Sequence, residues 1–319
     1  MIYVKLYKDV KGKGDVMEYI IKTEKLTKRY GKQVVADGIN LEIKKGHIYG
    51  LIGPNGAGKT TVMRMLAGLT ECTDGEIELF GERKNLDAYR NRISFMIEAP
   101  YLDGGMTAEE NLAYVGLVRG VTGKKRRAEL LRYVGLGDVG KKTVEKFSLG
   151  MKQRLGIAMA LLSAPEVMIL DEPINGLDPE GIVEIRELLR KLCEEQGITI
   201  LISSHILSEL ASLCTDFIII NKGRIIESLS AEELREKCRQ YLAIQTDSTE
   251  QTAELLRSMW GDSVQMSASG EEIRLYVSTE EALAVSKTIT DNNFVITKFV
   301  AVAEELEQYY LAKVGGSHV

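Results

Sequence analysis

Cysteine and histidine are scarce in this chain of 319 residues. It has four cysteines, at scattered positions with no C-x-x-C pair, and three histidines. Neither a disulfide framework nor a zinc site is therefore expected, because both are recognised by cysteines, or cysteines and histidines, at patterned spacings. A catalytic histidine, if there is one, has few candidates.

Long apolar runs and a basic surplus are also missing. No uncharged stretch approaches the roughly 18 apolar residues that a membrane span requires, and the opening MIYVKLYKDVKGKGDV lacks the apolar centre of a signal peptide. The sequence therefore predicts a cytoplasmic protein. The net charge of -5 argues against nucleic acid as a partner, since nucleic-acid-binding proteins usually carry excess positive charge.

What the chain has is a regular alternation of strands and helices. Short apolar runs such as HIYGLIG and EVMIL predict buried strands, and each is followed by a segment with helical spacing of apolar residues. This order predicts an α/β fold, with a mostly parallel sheet covered by helices. Residues 18–45 predict antiparallel strands, and residues 100–160 a helical subdomain that interrupts the alternation.

The pattern starts again near residue 240. YLAIQTD predicts a strand, STEQTAELLRSMWG a helix, SVQMSASGEEIRLYVS a hairpin, EEALAVSKTITDNN a helix and FVITKFVAV a strand. The order βαββαβ is that of a ferredoxin-like α+β domain. We therefore predict a small second domain over 240–319, ending in a helix.

The stretch GPNGAGKTT follows an apolar strand and opens a helix, which is the context of a phosphate-binding P-loop. In such a loop, backbone N–H groups and the helix N-terminus face the phosphates, Lys59 reaches the β- and γ-phosphates, and the Thr60 hydroxyl binds Mg²⁺. The predicted nucleotide-binding residues of this loop are Gly53, Pro54, Asn55, Gly56, Ala57, Gly58, Lys59, Thr60 and Thr61.

Two carboxylates and a histidine follow later strands. Asp171 and Glu172 end the apolar strand EVMIL, and His205 follows ITILISS. At the same edge of the sheet as a P-loop, Asp171 is predicted to hold Mg²⁺ through water and Glu172 to orient or deprotonate the attacking water. His205 is predicted to contact the γ-phosphate.

Four stretches, GPNGAGKTT, FSLGMKQR, VMILDEP with NGLD, and SSH, stand in this order. As a set they resemble the nucleotide-binding subunits of ABC (ATP-binding cassette) transporters, over residues 18–230. The resemblance implies ATP and Mg²⁺ as cofactors. It also implies a dimer with two sandwiched ATPs, in which Ser148 and the Gly150 N–H face the ATP of the second subunit. Tyr30 corresponds to the aromatic residue that stacks on adenine, and Asp178 to a loop that contacts the partner.

Three positions depart from that family. Leu149 replaces a glycine, Met151 replaces a glutamine, and Glu98 stands where most members have glutamine. Because it has Glu98 and SLGMKQR, the chain resembles the branch of bacterial exporters that includes those of bacitracin resistance and lantibiotic immunity. The corresponding glutamine approaches Mg²⁺ and the attacking water, so Glu98 is a predicted catalytic and metal-binding residue and a hinge of the helical subdomain.

The resemblance implies the ATP-hydrolysing subunit of an exporter whose membrane permease subunits are separate chains, bound to the inner face of the membrane through them. The expected domains are 17–235 and 240–319, with 1–16 an extension ahead of a native start at Met17. The alternative is an ABC ATPase acting on ribosomes or DNA. A non-catalytic ATP-binding subunit is disfavoured, because Glu172 and His205 are both present.

Overall fold

The protein is described here by a computed structural model. The structure describes residues 19–98, 100–238, 241–267, 270–302 and 306–315. The chain divides into two compact units, Met1–Ala231 and Glu232–Val319, a division that lies close to the predicted one. The predicted extension 1–16 lies outside the described residues.

The first unit contains ten strands and seven helices within the described residues. Its strands are β1 (Tyr19–Tyr30), β2 (Gln33–Ile39), β3 (Glu42–Lys44), β4 (Ile48–Ile52), β5 (Asp74–Leu79), β6 (Ile93–Met96), β7 (Val167–Leu170), β8 (Thr199–Ser204), β9 (Asp216–Asn221) and β10 (Arg224–Ser230). Its helices are α1 (Lys59–Leu66), α2 (Leu86–Arg90), α3 (Ala108–Val118), α4 (Lys124–Tyr133), α5 (Leu149–Leu161), α6 (Pro179–Gln196) and α7 (Leu207–Ala211).

The central sheet has six strands in the order β10-β9-β4-β8-β7-β6. The pairs from β9 to β6 are parallel, and β10 is an antiparallel edge strand. Every residue of β4, β7 and β8 is buried, which explains why these strands are continuous apolar runs rather than alternating ones. Their carboxyl ends meet at one edge, since Leu170 pairs with both Met96 and Ile202.

A second, antiparallel sheet has the order β2-β1-β3, with β5 also paired to β1. This confirms the antiparallel strands predicted for 18–45. Apolar residues of this sheet, such as Ile21 and Leu79, join residues of the central sheet, such as Leu201, in one core. The two sheets therefore share one core, and α1 contributes to it through Val62 and Met65.

The predicted helical segment contains α3, α4 and α5, and these three helices contact one another. Ser148 is the N-cap of α5, because its side chain accepts a hydrogen bond from the Met151 N–H at 3.3 Å. The sequence analysis did not predict β6 or α2, which precede this segment. β6 has the four residues ISFM, in which Ser94 interrupts the apolar run, whereas β7, of the same length, is the unbroken apolar run VMIL.

The second unit begins within α8 (Ala231–Lys237) and has the predicted βαββαβ order. Its elements are β11 (Tyr241–Thr246), α9 (Thr249–Trp260), β12 (Val264–Met266), β13 (Ile273–Leu275), α10 (Ala282–Asp291), β14 (Ile296–Val302) and α11 (Leu306–Val314). The four strands form an antiparallel sheet in the order β12-β13-β11-β14, the strand order of a ferredoxin-like domain. Its separate core includes Leu242, Leu256, Ile273 and Val285.

Candidate functional site

The P-loop occupies residues 53–58, between the end of β4 and the start of α1. Gly58 has a φ of 105°, and a Cβ there would lie 2.6 Å from the Val35 carbonyl oxygen. Only glycine satisfies both the backbone conformation and this close approach. The loop therefore delivers its backbone N–H groups to the N-terminus of α1, where the helix dipole favours an anion.

Lys59, the first residue of α1, returns its side chain to this loop. Its Nζ donates to the Gly53 carbonyl oxygen at 2.7 Å and lies 3.4 Å from Glu172 Oε1. The lysine side chain is only 5% exposed. The fold therefore holds an ammonium group inside the loop, beside the predicted catalytic carboxylate.

Asp171 leaves the carboxyl end of β7 and meets α1 and β8. Thr60 Oγ1 donates to Asp171 Oδ2 at 2.7 Å, and Ser203 Oγ donates to Asp171 Oδ1 at 2.6 Å. The residue is 6% exposed. Both carboxylate oxygens are thus satisfied, as a buried carboxylate requires, and the two predicted metal ligands Thr60 and Asp171 are in direct contact.

Glu172 is the next residue, and it has a left-handed backbone with a φ of 47°. Its N–H donates to Ser203 Oγ at 2.8 Å. Asn175 Nδ2 donates to Glu172 Oε2 at 3.0 Å, and His205 Nδ1 lies 3.2 Å from the same oxygen. The structure therefore brings Glu172, His205 and Lys59 together, as the sequence analysis expected of a catalytic group at this edge.

A cavity of about 160 Å³ lies in front of these groups, lined by Asn55–Thr61, Val35 and Glu172. Backbone donors and Lys59 fit a triphosphate, and Thr60 with Asp171 fits Mg²⁺, which takes few protein ligands beside phosphate and water oxygens. Among the described residues, no cluster of three or more histidine, cysteine or acidic side chains forms a metal site of its own. Phosphate and water oxygens would complete the coordination of a Mg²⁺ held at Thr60 and Asp171.

The residues predicted to face a second subunit lie around a different cleft. Ser148, Gly150 and Asp178 line a cavity of about 390 Å³ between α5 and α6, together with Leu149. Asp178 is the N-cap of α6, and its Oδ1 accepts from the Gly181 N–H at 3.1 Å. Two helix N-termini therefore open onto one cleft, a geometry that favours anions.

Tyr30 and Glu98 stand apart from the P-loop cavity. Tyr30 ends β1 and is 49% exposed, with Lys28 Nζ 5.0 Å from its ring centroid. Glu98 follows β6 and forms an ion pair with Arg64 on α1. In the described part of the chain, no hydrogen bond or ion pair joins Glu98 to Thr60 or Asp171, and its metal contact stays a prediction.

Four residues of the site were not predicted: Ser203, Asn175, Arg64 and Val35. Ser203 lies in SSH and Asn175 in NGLD. Both stretches carry the family resemblance, but neither residue had a predicted role. Arg64 carried a signal in its spacing, since it lies four residues after Thr60 on the same helix. Val35 carried no such signal, because it acts through its backbone carbonyl oxygen, which lies close to Gly58.

Comparison with known proteins agrees with this geometry. Residues 36–175 match the family model described as ABC transporter. The bacitracin transport ATP-binding protein BcrA of Bacillus licheniformis is 42% identical over 305 residues, which cover 95% of this chain and 100% of the relative. The chain belongs to the ATP-binding subunits of ABC transporters. The resemblance found in the sequence is thereby confirmed.

A second relative and a solved structure are also similar to this ABC ATPase. The lantibiotic transport ATP-binding protein SrtF of Streptococcus pyogenes is 46% identical over 208 residues, which cover 65% of this chain and 89% of the relative. A dimeric post-hydrolysis structure of the ATP-binding cassette MJ0796, bound to ADP and Pi, is 26% identical with a TM-score of 0.60, over 66% of this chain and 98% of that one. The described helices of the ABC ATPase include none that is long and apolar enough to span a bilayer.

Proposed function

We propose that this ABC ATPase hydrolyses ATP at two composite sites in a homodimer and drives export through separate permease subunits. The observation that supports this most is a chain of contacts at one sheet edge, in which Lys59 pairs with Glu172 and Ser203 bonds both Glu172 and Asp171. It unites a cation for phosphate, a metal ligand and a base in one place. Relatives named for bacitracin and lantibiotic transport support a peptide antibiotic as cargo.

In this proposal the chain's own groups divide the work between binding and proton transfer. The loop N–H groups and Lys59 bind the β- and γ-phosphates, and Thr60 and Asp171 hold Mg²⁺. Bound Mg²⁺ would neutralise phosphate charge. Glu172 orients the attacking water and accepts its proton, while His205 and Asn175 position the Glu172 carboxylate. Tyr30 stacks on the adenine.

The second half of each site comes from the other subunit. Ser148 and the Gly150 N–H bind the γ-phosphate held by the partner, and Asp178 contacts the partner subunit. ATP binding closes the dimer and hydrolysis reopens it. The helical subdomain and the segment around Glu98 pass this change to the permease, through which the protein lies on the inner face of the membrane.

Two experiments test the proposal. Isothermal titration with Mg-ATP should show binding by the wild type and none by Lys59→Ala. Co-purification from native membranes should recover a polytopic membrane protein with the ATPase. Recovery of ribosomes or DNA without a membrane protein would contradict the role in transport while leaving ATP hydrolysis intact.

A further inference from the structure

The ion pair between Arg64 and Glu98 lies one turn of α1 beyond Thr60, a residue of the proposed metal site. Glu98 is 65% exposed and Arg64 41% exposed. Glu98 also has a left-handed backbone, with a φ of 65°, a conformation that is unfavourable for a residue with a Cβ. The pair thus holds a carboxylate in a position that the backbone at Glu98 does not itself favour.

Helix α1 makes this contact and a second one from the same face. Thr60 and Arg64 are four residues apart, so they lie one above the other, separated by about 6 Å along the helix. Thr60 donates to Asp171 Oδ2 at 2.7 Å, and Arg64 donates to Glu98 Oε1. The two carboxylates are therefore bound at neighbouring turns of one helix.

The sheet brings the two carboxylates together from the other side. β6 and β7 are parallel neighbours, and the Asp171 N–H donates to the Met96 carbonyl oxygen at 2.8 Å. Glu98 follows Met96 by two residues and so leaves the sheet beside Asp171. The Glu98 side chain thus leaves the chain two residues beyond a backbone contact of Asp171 and is paired with Arg64, one helical turn after Thr60.

Charge decides which cation it takes. Lys59 Nζ lies 3.4 Å from Glu172, whereas Asp171 accepts hydrogen bonds from two neutral hydroxyl groups, so the charge of Asp171 disfavours a further carboxylate until a metal arrives. Arg64 supplies a positive charge that keeps the Glu98 carboxylate one helical turn away.

We propose that Arg64 is a positioning residue that competes with the metal for the Glu98 carboxylate. In the conformation described here Arg64 holds Glu98 outside the site, and binding of Mg²⁺ with nucleotide transfers the carboxylate to the metal. The proposal rests on the proposed function, because the metal arrives with ATP. It makes Arg64 a determinant of how strongly Mg²⁺ tightens nucleotide binding.

The size of the effect follows from the exposure of the pair. Exposed ion pairs contribute at most about 1 kcal/mol, which corresponds to about a fivefold change in an equilibrium constant. A pair of this strength is readily exchanged for a metal contact. Removing Arg64 should therefore increase the factor by which Mg²⁺ tightens nucleotide binding by about two- to fivefold.

The test measures binding rather than turnover. The dissociation constant of a fluorescent, non-hydrolysable ATP analogue is determined with EDTA and with Mg²⁺, and the ratio of the two constants is the metal factor. By linkage, the protein–nucleotide complex must bind the metal more tightly than the free nucleotide does by the same factor. Electron paramagnetic resonance titration with Mn²⁺ therefore gives an independent value. The full chain is used throughout.

The variants are Arg64→Gln, Arg64→Lys, Glu98→Gln and the double variant. We expect Arg64→Gln to raise the metal factor two- to fivefold and Arg64→Lys, which keeps the ion pair, to stay near the wild type. In the Glu98→Gln background, replacing Arg64 should change nothing. Arg83→Gln is the matched control, because Arg83 is also an exposed arginine that pairs with glutamates.

Two results would overturn the proposal. An unchanged metal factor in Arg64→Gln would show that Arg64 does not restrain Glu98. An equal rise in the Glu98→Gln background would show a general electrostatic effect of Arg64 without any competition. Arg64→Met, which keeps the aliphatic stem, replaces the glutamine variant if that one does not fold. Failure of the wild type to bind the analogue would instead contradict the proposed function itself.

Discussion

The two clefts of this ABC ATPase differ in what holds their polar groups. At the P-loop, Lys59 and Asp171 are buried, and their contacts join α1, β4, β7 and β8. At the α5–α6 cleft, Ser148 and Asp178 each accept a hydrogen bond from the first turn of their own helix. The fold thus organises the first cleft completely, whereas the second cleft is a surface assembled from two helix caps.

This difference suits the first cleft to nucleotide binding and the second to the proposed contact with a second subunit. The P-loop cleft has every group needed to hold phosphate and metal within one chain. The α5–α6 cleft also has charged side chains, such as Arg154 paired with Glu184 at 3.3 Å, and in the proposed function it acts on the phosphate held by a second subunit. The following predictions alter one cleft at a time, from the largest expected effect to the smallest.

The largest effect is expected from Lys59→Ala. This change removes the buried ammonium group beside Glu172 and the charge-assisted hydrogen bonds to phosphate. ATP binding should be lost, as measured by isothermal titration. The far-ultraviolet circular dichroism spectrum serves as the control for folding, and ATP binding close to that of the wild type would contradict the role of Lys59.

Glu172→Gln should leave ATP binding intact and slow its hydrolysis. The amide keeps the hydrogen-bonding shape but cannot accept a proton, and general base catalysis contributes about 100-fold or more. A phosphate-release assay with saturating Mg-ATP measures this. Asn175→Ala is a useful companion, because it removes only a hydrogen bond to the carboxylate. Wild-type turnover in Glu172→Gln would rule out the base.

Gly150→Asp changes the α5–α6 cleft without touching the P-loop. The nearest atom to a Cβ at this position is Leu177 Cδ2 at 3.9 Å, so the isolated subunit has room for a side chain. A carboxylate there would repel the phosphate of a second subunit. We expect hydrolysis to fall about tenfold or more, since hydrogen bonds to charged groups contribute about 1.5–3 kcal/mol.

The matched control for that change is Gly150→Ala, which adds bulk without charge and should have the smaller effect. ATP affinity of the separate subunit should be unchanged in both variants. A loss of ATP affinity equal to that of Lys59→Ala would show that the two clefts are not independent.

Glu98→Gln should lower the Mg²⁺ dependence of ATP hydrolysis by a few-fold and weaken stimulation by the permease. The neutral amide keeps an acceptor oxygen but removes the charge that needs Mg²⁺ to offset it. ATPase activity across a Mg²⁺ titration, with and without the membrane partner, measures both effects. Identical curves for wild type and variant would show that the charge has no role.

Deleting 240–319 should have the smallest effect on nucleotide. The second unit has its own core, centred on residues such as Leu256 and Ile273, and carries none of the ATP-binding stretches. We propose a regulatory or dimer-stabilising role for it. ATP affinity of the truncated protein should match that of the full chain, and its complete loss in a folded, soluble truncation would contradict this role.

Local sequence predicted those parts of the molecule in which one stretch carries the whole signal. The P-loop, the buried strands and the βαββαβ order of the second unit are of this kind. Each depends on periodicity or turn chemistry within a few residues.

Contacts between distant stretches could not be predicted in this way. Ser203 joins Asp171 to the Glu172 N–H only because β7 and β8 are neighbours in a particular register. Arg64 meets Glu98 only because β6 lies beside β7, and β6 itself was not predicted. Strand order therefore fixes the roles of Ser203 and Arg64, whereas Asn175 contacts Glu172 from three residues away and was missed within a recognised stretch.

The central claim is that one chain supplies only half of each ATP site. The most direct measurement is the mass of Glu172→Gln by light scattering, with and without Mg-ATP. We predict the 35.4 kDa of one chain without nucleotide, and twice that mass with two bound ATPs per dimer when Mg-ATP is added. Adding Gly150→Asp should abolish the dimer and leave ATP bound to the single chain. A mass that does not respond to ATP, or a dimer that Gly150→Asp leaves intact, would contradict the claim.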